Sequence, residues 1–399
     1  MFKRIRLLCV IFTFLEFWVV LDTASRALAT EKASLLHTCA LEIAFRLPSA
    51  ALMSQETTDI HTGPVTILVN PGPFGSVEEA AESEEAVDWW GGDLSDGRAC
   101  TECFAAVELS RFLRTCTALS EVDIRLCPPD RLPSQGDVFV IGSTKSNALI
   151  ASRKLLERRR LERDESFLLK TIREGNRNIG IIEGKDRVGT LYGVYAYLSE
   201  LGFRFYGLGK KGTVYPERIS GLPQTINVVE NPSFLTRGFW AWEDRGNKEF
   251  FLWMARNRMN FWTAAESDVN FLKKLGLQLT DGGHVIQKYF LDPQAEYPYD
   301  HQRFHLDRDK PKDPYAAGDE YTGDTNADGK LTYFEAHPEW YGLRGGKRSP
   351  DIRGDFGDNY CTSNPDATKE LAKNLIQSLI DGRWCHVDIV SFWMLDGGR

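Results

Sequence analysis

Six residues between positions 324 and 335 have the types and the spacing to hold one hard cation. In Asp324-Thr325-Asn326-Ala327-Asp328-Gly329-Lys330-Leu331-Thr332-Tyr333-Phe334-Glu335, oxygen donors recur at the first, third, fifth, ninth and twelfth places, with glycine at the sixth and an apolar residue at the eighth. This spacing wraps a chain around Ca2+, which takes oxygen ligands only. Asp324, Asn326 and Asp328 would supply side-chain oxygens, Lys330 its backbone carbonyl, Thr332 a direct or water-mediated contact, and Glu335 both carboxylate oxygens. A polar turn without an ion is the bland alternative.

The pattern is that of an EF-hand loop, yet Pro314, Gly318 and Gly323 precede it and Pro338 follows closely. Neither flank can hold a long helix. The expectation is a lone structural loop that pins the surrounding chain, not a paired sensor. The loop also resembles a dockerin repeat, but a single copy argues against cohesin binding.

A second set of reactive side chains falls where strands are expected to end. Glu243 and Asp244 follow the first such strand, Glu266 and Asp268 the second, Asp281 and His284 the third, and Asp396 the fourth. Catalytic groups of β/α barrels sit at these carboxyl ends. Glycosidic cleavage needs one carboxylic acid to protonate the leaving oxygen and one carboxylate as base or nucleophile. Spacing does not select the pair. Asp396 and Glu243 are the catalytic candidates, and His284 and Trp242 the candidates for holding a sugar or its carboxylate, with loop structure as the alternative for His284 and Asp396. Trp240, Trp253, Trp262, Trp340 and Tyr341 could stack on pyranose faces, and core packing explains them equally well.

Two blocks of elements must position these groups. From Pro64, strands are expected at Val65–Asn70, Val122–Leu126, Asp137–Gly142, Phe167–Ile172 and Asn178–Glu183, with helices at Cys103–Ala118, Asn147–Arg163 and Arg187–Leu201. This predicts an α/β sandwich domain over 64–215. After Asn231-Pro232, strands Leu235–Trp242, Met259–Thr263, Leu277–Leu279 and Val387–Met394 alternate with helices Asn247–Arg258, Asp268–Leu275 and Asp366–Ile380. Such alternation implies a parallel sheet under covering helices over 232–399, with an insertion at 285–364. A closed barrel needs eight such steps, so the expectation is an open sheet or part of a barrel.

The segment Gly189-Thr190-Leu191-Tyr192-Gly193-Val194-Tyr195-Ala196-Tyr197-Leu198, followed by Leu201-Gly202-Phe203-Arg204, resembles the closing helix of the α/β domain that precedes the barrel in α-glucuronidases of glycoside hydrolase family 67 and in β-N-acetylhexosaminidases. Asp164-Glu165-Ser166-Phe167 and Val138-Phe139-Val140-Ile141-Gly142 fit the same domain. The resemblance covers about residues 64 to 215 and implies a carbohydrate-active barrel after it, of which this chain would be a fragment. The general-acid motif of the α-glucuronidases has no copy here, so none of their catalytic residues is carried over.

Composition narrows the partners. The 399 residues are 42% hydrophobic and 26% charged, with net charge −8, so a globular protein is expected and nucleic acid is an unfavoured partner. Lys3, Arg4 and Arg6, an apolar run to Leu21, and Ala27-Leu28-Ala29 make a secretory signal over 1–29, too short for a membrane span. The mature chain is then expected to be secreted or periplasmic, after an irregular lead over 30–62. Cys100-Thr-Glu-Cys103 lacks a second pair at zinc spacing, and is read as a local disulfide or two ordinary buried thiols. The acidic run Glu78 to Glu85 is read as a solvated helix face or loop.

Overall fold

The structure, a computed structural model, describes residues 64–115, 122–130, 132–153, 161–217, 219, 221–239, 246–263, 268–305 and 309–397. The expected signal peptide and lead lie outside the described residues, as do Trp240, Trp242, Glu243, Asp244 and Glu266.

Short β-branched and apolar runs build a six-stranded sheet. Its strands are β1 (Val65–Leu68), β2 (Ile124–Cys127), β3 (Asp137–Gly142), β4 (Phe167–Glu174), β5 (Arg177–Gly184) and, beyond a two-residue ribbon of β6 (Arg204–Phe205) and β7 (Thr213–Val214), β8 (Asn227–Glu230). The order is β2-β1-β3-β5-β4-β8. Only β4 runs opposite to the rest. The expected strands are present, but β8 extends the sheet past residue 215. Its four residues, Asn-Val-Val-Glu, lie at the edge and are half-buried or exposed, so they carry little periodic signal.

Both faces of the sheet are covered, which is why its parallel strands read as continuous apolar runs. Val65, Ile67, Phe139, Ile141 and Ile182 pack under the helices α1 (Val77–Glu82), α2 (Ser95–Arg114) and α4 (Arg187–Glu200). Val138, Val140, Ile179 and Ile181 point the other way, toward Ile150 of α3 (Ala148–Ala151). Asp186 caps α4 by accepting from the Gly189 N–H at 2.8 Å. Gly189 and Gly193 let this helix lie on β4 and β5: a Cβ at Gly189 would come within 2.3 Å of the Ser166 carbonyl oxygen, and one at Gly193 within 2.9 Å of an Ile182 methyl. The three helix tyrosines are buried, and each hydroxyl has a partner: Tyr192 donates to Met259 O, Tyr195 donates to Glu108, and Tyr197 accepts from Gln224 N–H.

Cys100 and Cys103 are buried free thiols on α2. Burial pushes Cys100 up to about 12, so neither is a reactive thiolate. Between α2 and α4 lies Glu102, wholly buried. Its Oε1 accepts from Thr190 Oγ1 at 3.3 Å, and its Oε2 has no partner. Burial is the main reason its carboxyl is raised to about 7, with Ser146, Arg98 and Thr190 pulling the other way. The folded chain therefore holds this proton more tightly than the unfolded chain. Stability declines as pH rises from about 4.5 to 7, by about 3 kcal/mol at most. Glu102→Gln should gain melting temperature over wild type at pH 8 and lose that advantage at pH 4.5; a difference that does not vary with pH would refute this account.

The second sheet consists of β9 (Phe261–Thr263), β10 (Gln278–Gly283) and, after the insertion, β15 (Ile389–Phe392), all parallel in the order β15-β10-β9. The expected strand before β9 is represented among the described residues by a parallel bridge from Gly238 to Phe261. Spatial order thus follows chain order, with α5 (Lys248–Arg256), α6 (Val269–Lys274) and, after the two insertion helices, α9 (Pro365–Ile380) between the strands. Strands in chain order fit the wall of a barrel and equally one half of a doubly wound sheet. Among the described residues the wall is open.

One apolar core runs from the first sheet into the second, taking in Phe251, Met254, Trp262, Leu272 and Leu279. Polar ties cross the same boundary. Glu165 pairs with Arg237 and accepts from Asn260 Nδ2 at 2.7 Å. Arg187 reaches Thr101 Oγ1 at 2.9 Å and the Lys273 carbonyl at 2.6 Å. Glu84, from the acidic run, pairs at 2.6 Å with the buried Lys274, so that part of the run is a tether and not a solvated face. The fold is α/β, and no helix among the described residues is long and apolar enough to cross a membrane.

The insertion carries α7 (Ile286–Phe290), α8 (Tyr333–Ala336), and the hairpins β11 (Leu343–Arg344) with β12 (Lys347–Arg348) and β13 (Ile352–Arg353) with β14 (Phe356–Gly357). It builds its own core around Tyr297, Trp340 and Tyr341, closed by Ala367 and Leu371 of α9. Trp340 and Tyr341 are therefore core residues, as is Trp262 at 4% exposure.

Candidate functional site

The carboxyl ends of β10 and β15 lie side by side because the strands pair from Thr280 with Ile389 to Gly283 with Phe392. His284 leaves the end of β10, and Trp393 and Asp396 leave the end of β15. His284 Nε2 and Asp396 Oδ1 come to 3.8 Å, an ion-pair distance. The Trp393 indole stands edge-on to the imidazole, centroids 6.0 Å apart. The insertion completes the rim: β14 pairs in parallel with β16 (Asp396–Gly397), and Asn359 exchanges two hydrogen bonds with Leu395 at 2.8 and 2.9 Å.

The chemistry of His284 follows from its partners. Nδ1 faces the Met394 carbonyl, which can only accept, so Nδ1 carries a proton. Nε2 is thereby turned toward Asp396. While His284 is neutral, Nε2 and the Asp396 carboxylate are neighbouring acceptors beside an indole. Such a set can receive two hydroxyl protons of a polyol whose C–H face lies on the ring. The His284 side chain is 10% exposed and that of Asp396 53%, so the first is anchored and the second open to solvent.

The other candidates divide. Asp281 is exposed and accepts from its neighbour Gly282 N–H at 2.6 Å. Asp268 caps α6 through Phe271 N–H and pairs with Lys248, a structural role. Trp393 was not singled out from the sequence; alternation within the fourth strand could have placed it, but only the pairing with β10 brings it to His284.

The calcium-type loop is shaped by its own amides. Asp324 Oδ2 accepts from Gly329 N–H at 2.8 Å, Asn326 Oδ1 from Asp328 N–H at 3.0 Å, and Asp328 Oδ1 from Lys330 N–H at 2.9 Å. Ala327 and Gly329 take left-handed backbone angles, φ 60° and 82°. Glu335 and Thr332 form a capping box that starts α8. Burial works against the Glu335 charge, but hydrogen bonds from Thr325 and Thr332 hold its carboxyl below the usual range. The donors are all oxygens and the last is an ionised carboxylate at the twelfth place, which fits a hard cation.

The loop is tied into the insertion at its eighth to tenth places. Leu331 and Tyr333 are buried in the insertion core. Tyr297 N–H donates to the Leu331 carbonyl at 2.7 Å, Tyr333 N–H donates to Ala295 O at 3.0 Å, and Glu296 bridges Thr332. A single loop thus finds its β partner in an ordinary segment of the same chain.

No protein-family model matches this chain, and no curated protein matches it. Two of the solved structures with a distant likeness are glycoside hydrolases by their descriptions. One is described as a novel family GH115 4-O-methyl-α-glucuronidase, BtGH115A, with specificity for decorated arabinogalactans; it is 15% identical, with TM-score 0.38, over 81% of this chain and 40% of that one. The other, CpGH84D, is 10% identical, with TM-score 0.32, over 56% of this chain and 34% of that one. The chain spans less than half the length of either.

Proposed function

We propose that this chain is an exported carbohydrate-active protein of glycoside hydrolase type, acting on uronic-acid-bearing or related polysaccharides, with a calcium ion held by Asp324, Asn326, Asp328, Lys330, Thr332 and Glu335. The observation that carries the reading is the convergence of His284, Trp393 and Asp396 at the carboxyl ends of parallel strands wound in chain order. Polar acceptors beside an aromatic ring suit a sugar, and that end of such a wall is where barrel enzymes bind. The resemblance of the 189–204 helix to the α-glucuronidase accessory domain points the same way. Calcium would supply a fixed positive charge that orders the insertion, whose β14 and Asn359 hold Asp396 and Leu395 in place.

A second reading is carbohydrate binding without hydrolysis. It is favoured by the constellation itself, since a histidine, a carboxylate and an aromatic ring suffice to hold a sugar. Calorimetric titration of glucuronic-acid-substituted xylan oligosaccharides, alongside assay of released reducing ends, separates the readings. His284→Ala and Trp393→Ala should each weaken binding by about tenfold, equivalent to ~1.4 kcal/mol. Wild-type affinity in both variants would sink the site. Binding without bond cleavage would favour the second reading.

A further inference from the structure

We propose that His301, Asp313 and His337 form a divalent transition-metal site of the zinc type, inside the insertion and separate from the calcium loop. One ligand atom from each lies within 4.8 Å of the other two, and no other group of three His, Cys, Asp or Glu among the described residues meets that condition. The three residues are 1%, 4% and 0% exposed.

Their hydrogen bonds leave two buried atoms over. Asp313 Oδ1 accepts from the Tyr297 hydroxyl at 2.9 Å and from Tyr315 N–H at 2.9 Å. Asp313 Oδ2 has no hydrogen-bond partner and lies 3.6 Å from His337 Nε2. His301 Nε2 is likewise buried without a partner. Leaving two such atoms unsatisfied in a core is costly unless something sits between them.

The surroundings fit an ion. His337 Nδ1 is 2.8 Å from Glu339 Oε1, so it carries the proton and presents Nε2 inward, as in carboxylate–histidine–metal arrangements. The Tyr297 hydroxyl, 2.8 Å from that Nε2, keeps its bond to Asp313 when an ion takes the nitrogen. Both rings are clamped: His337 stacks on Trp340 at 4.1 Å and 5°, and His301 on Tyr321 at 4.6 Å and 14°. Ligation by His301 requires one local change. Arg303 N–H donates to its Nδ1 at 3.1 Å, and that contact opens when the proton moves to Nδ1. Two imidazoles and one carboxylate suit zinc or a neighbouring first-row metal, whereas the all-oxygen loop suits calcium, so the two sites sort ions by donor type. The same residues could instead enclose a bridging water.

The test uses the whole chain, stripped with EDTA and returned to saturating calcium, then titrated with ZnCl2 by calorimetry and with CoCl2 by visible absorbance. The expected result is one zinc per chain and cobalt ligand-field bands, with affinity reduced at least about 100-fold in His301→Gln and Asp313→Asn and about tenfold in Glu339→Gln. No zinc uptake by folded wild type, or equal uptake by the His301 and Asp313 variants, overturns the site and leaves water as its occupant. If those two variants fail to fold, Glu339→Gln decides: unchanged zinc affinity there also overturns it.

Discussion

Replacing Arg256 with leucine is expected to destabilise the protein by about 3 kcal/mol, lowering the melting temperature by roughly 4 °C. Arg256 stands on α5 and reaches Glu108 on α2, 148 residues away, with Nη2 and Nε at 3.3 and 3.4 Å from Oε2. Both side chains are 6% exposed, and the same oxygen accepts from the Tyr195 hydroxyl at 3.0 Å. The guanidinium also sits over the Phe112 ring at 5.3 Å. Removing Arg256 strands a buried carboxylate that has given up its water. The loss falls at the low end of the range for broken buried pairs because Arg111 still holds Oε1 at 2.7 Å.

The reason to expect a large effect is position as well as burial. Glu108, Tyr195 and Arg256 belong to three helices, two over the first sheet and one over the second, so the triad fastens the two sheets together. A double variant, Arg256→Leu with Glu108→Gln, should recover part of the loss by removing the stranded charge. Thermal melts and urea titrations of the three proteins would decide. A single variant melting within about 1 °C of wild type would mean that the clamp adds little.

Calcium is expected to raise the melting temperature of wild type and to leave Glu335→Ala where it was. At free calcium about 100 times the dissociation constant, linkage gives about 2.7 kcal/mol of added stability. The effect should concentrate in the insertion, because Leu331 and Tyr333 carry the loop into the core built on Tyr297, Trp340 and Tyr341. Glu335→Ala removes the only carboxylate at the loop's end and also breaks the capping box with Thr332, so it should melt somewhat below wild type even without calcium. Glu335→Gln separates the two causes: it can keep much of the cap and lose most of the calcium response. A wild type that stays folded, gives no heat with calcium and shows no shift in melting would remove the ion from this account.

Some of this molecule could be read without its fold. The 12-residue loop is local, since its turns, Asx hydrogen bonds and capping box all close between Asp324 and Glu335. The helix of small residues and tyrosines was legible because two glycines and a fixed period oblige it to lie close on a sheet. Strands buried on both faces announced themselves as apolar runs. Parallel winding in chain order followed from the alternation of short strands and helices.

Pairings over long distances were not legible, because periodicity tells which face of an element is buried and not against what. His284 and the Met394 carbonyl are 110 residues apart, and their meeting depends on the register between β10 and β15. Glu84 looked like one more surface acid until packing of α6 brought Lys274 beneath it. The histidines of the insertion carry no ligand spacing at all. His301 and His337 become neighbours because a segment at Glu296–Tyr297 pairs with the loop and folds the chain back on itself. The sequence by itself determined which residues could turn, cap or be buried; the tertiary structure alone decided which polar atoms were taken out of water together, and that is where the chemistry lies.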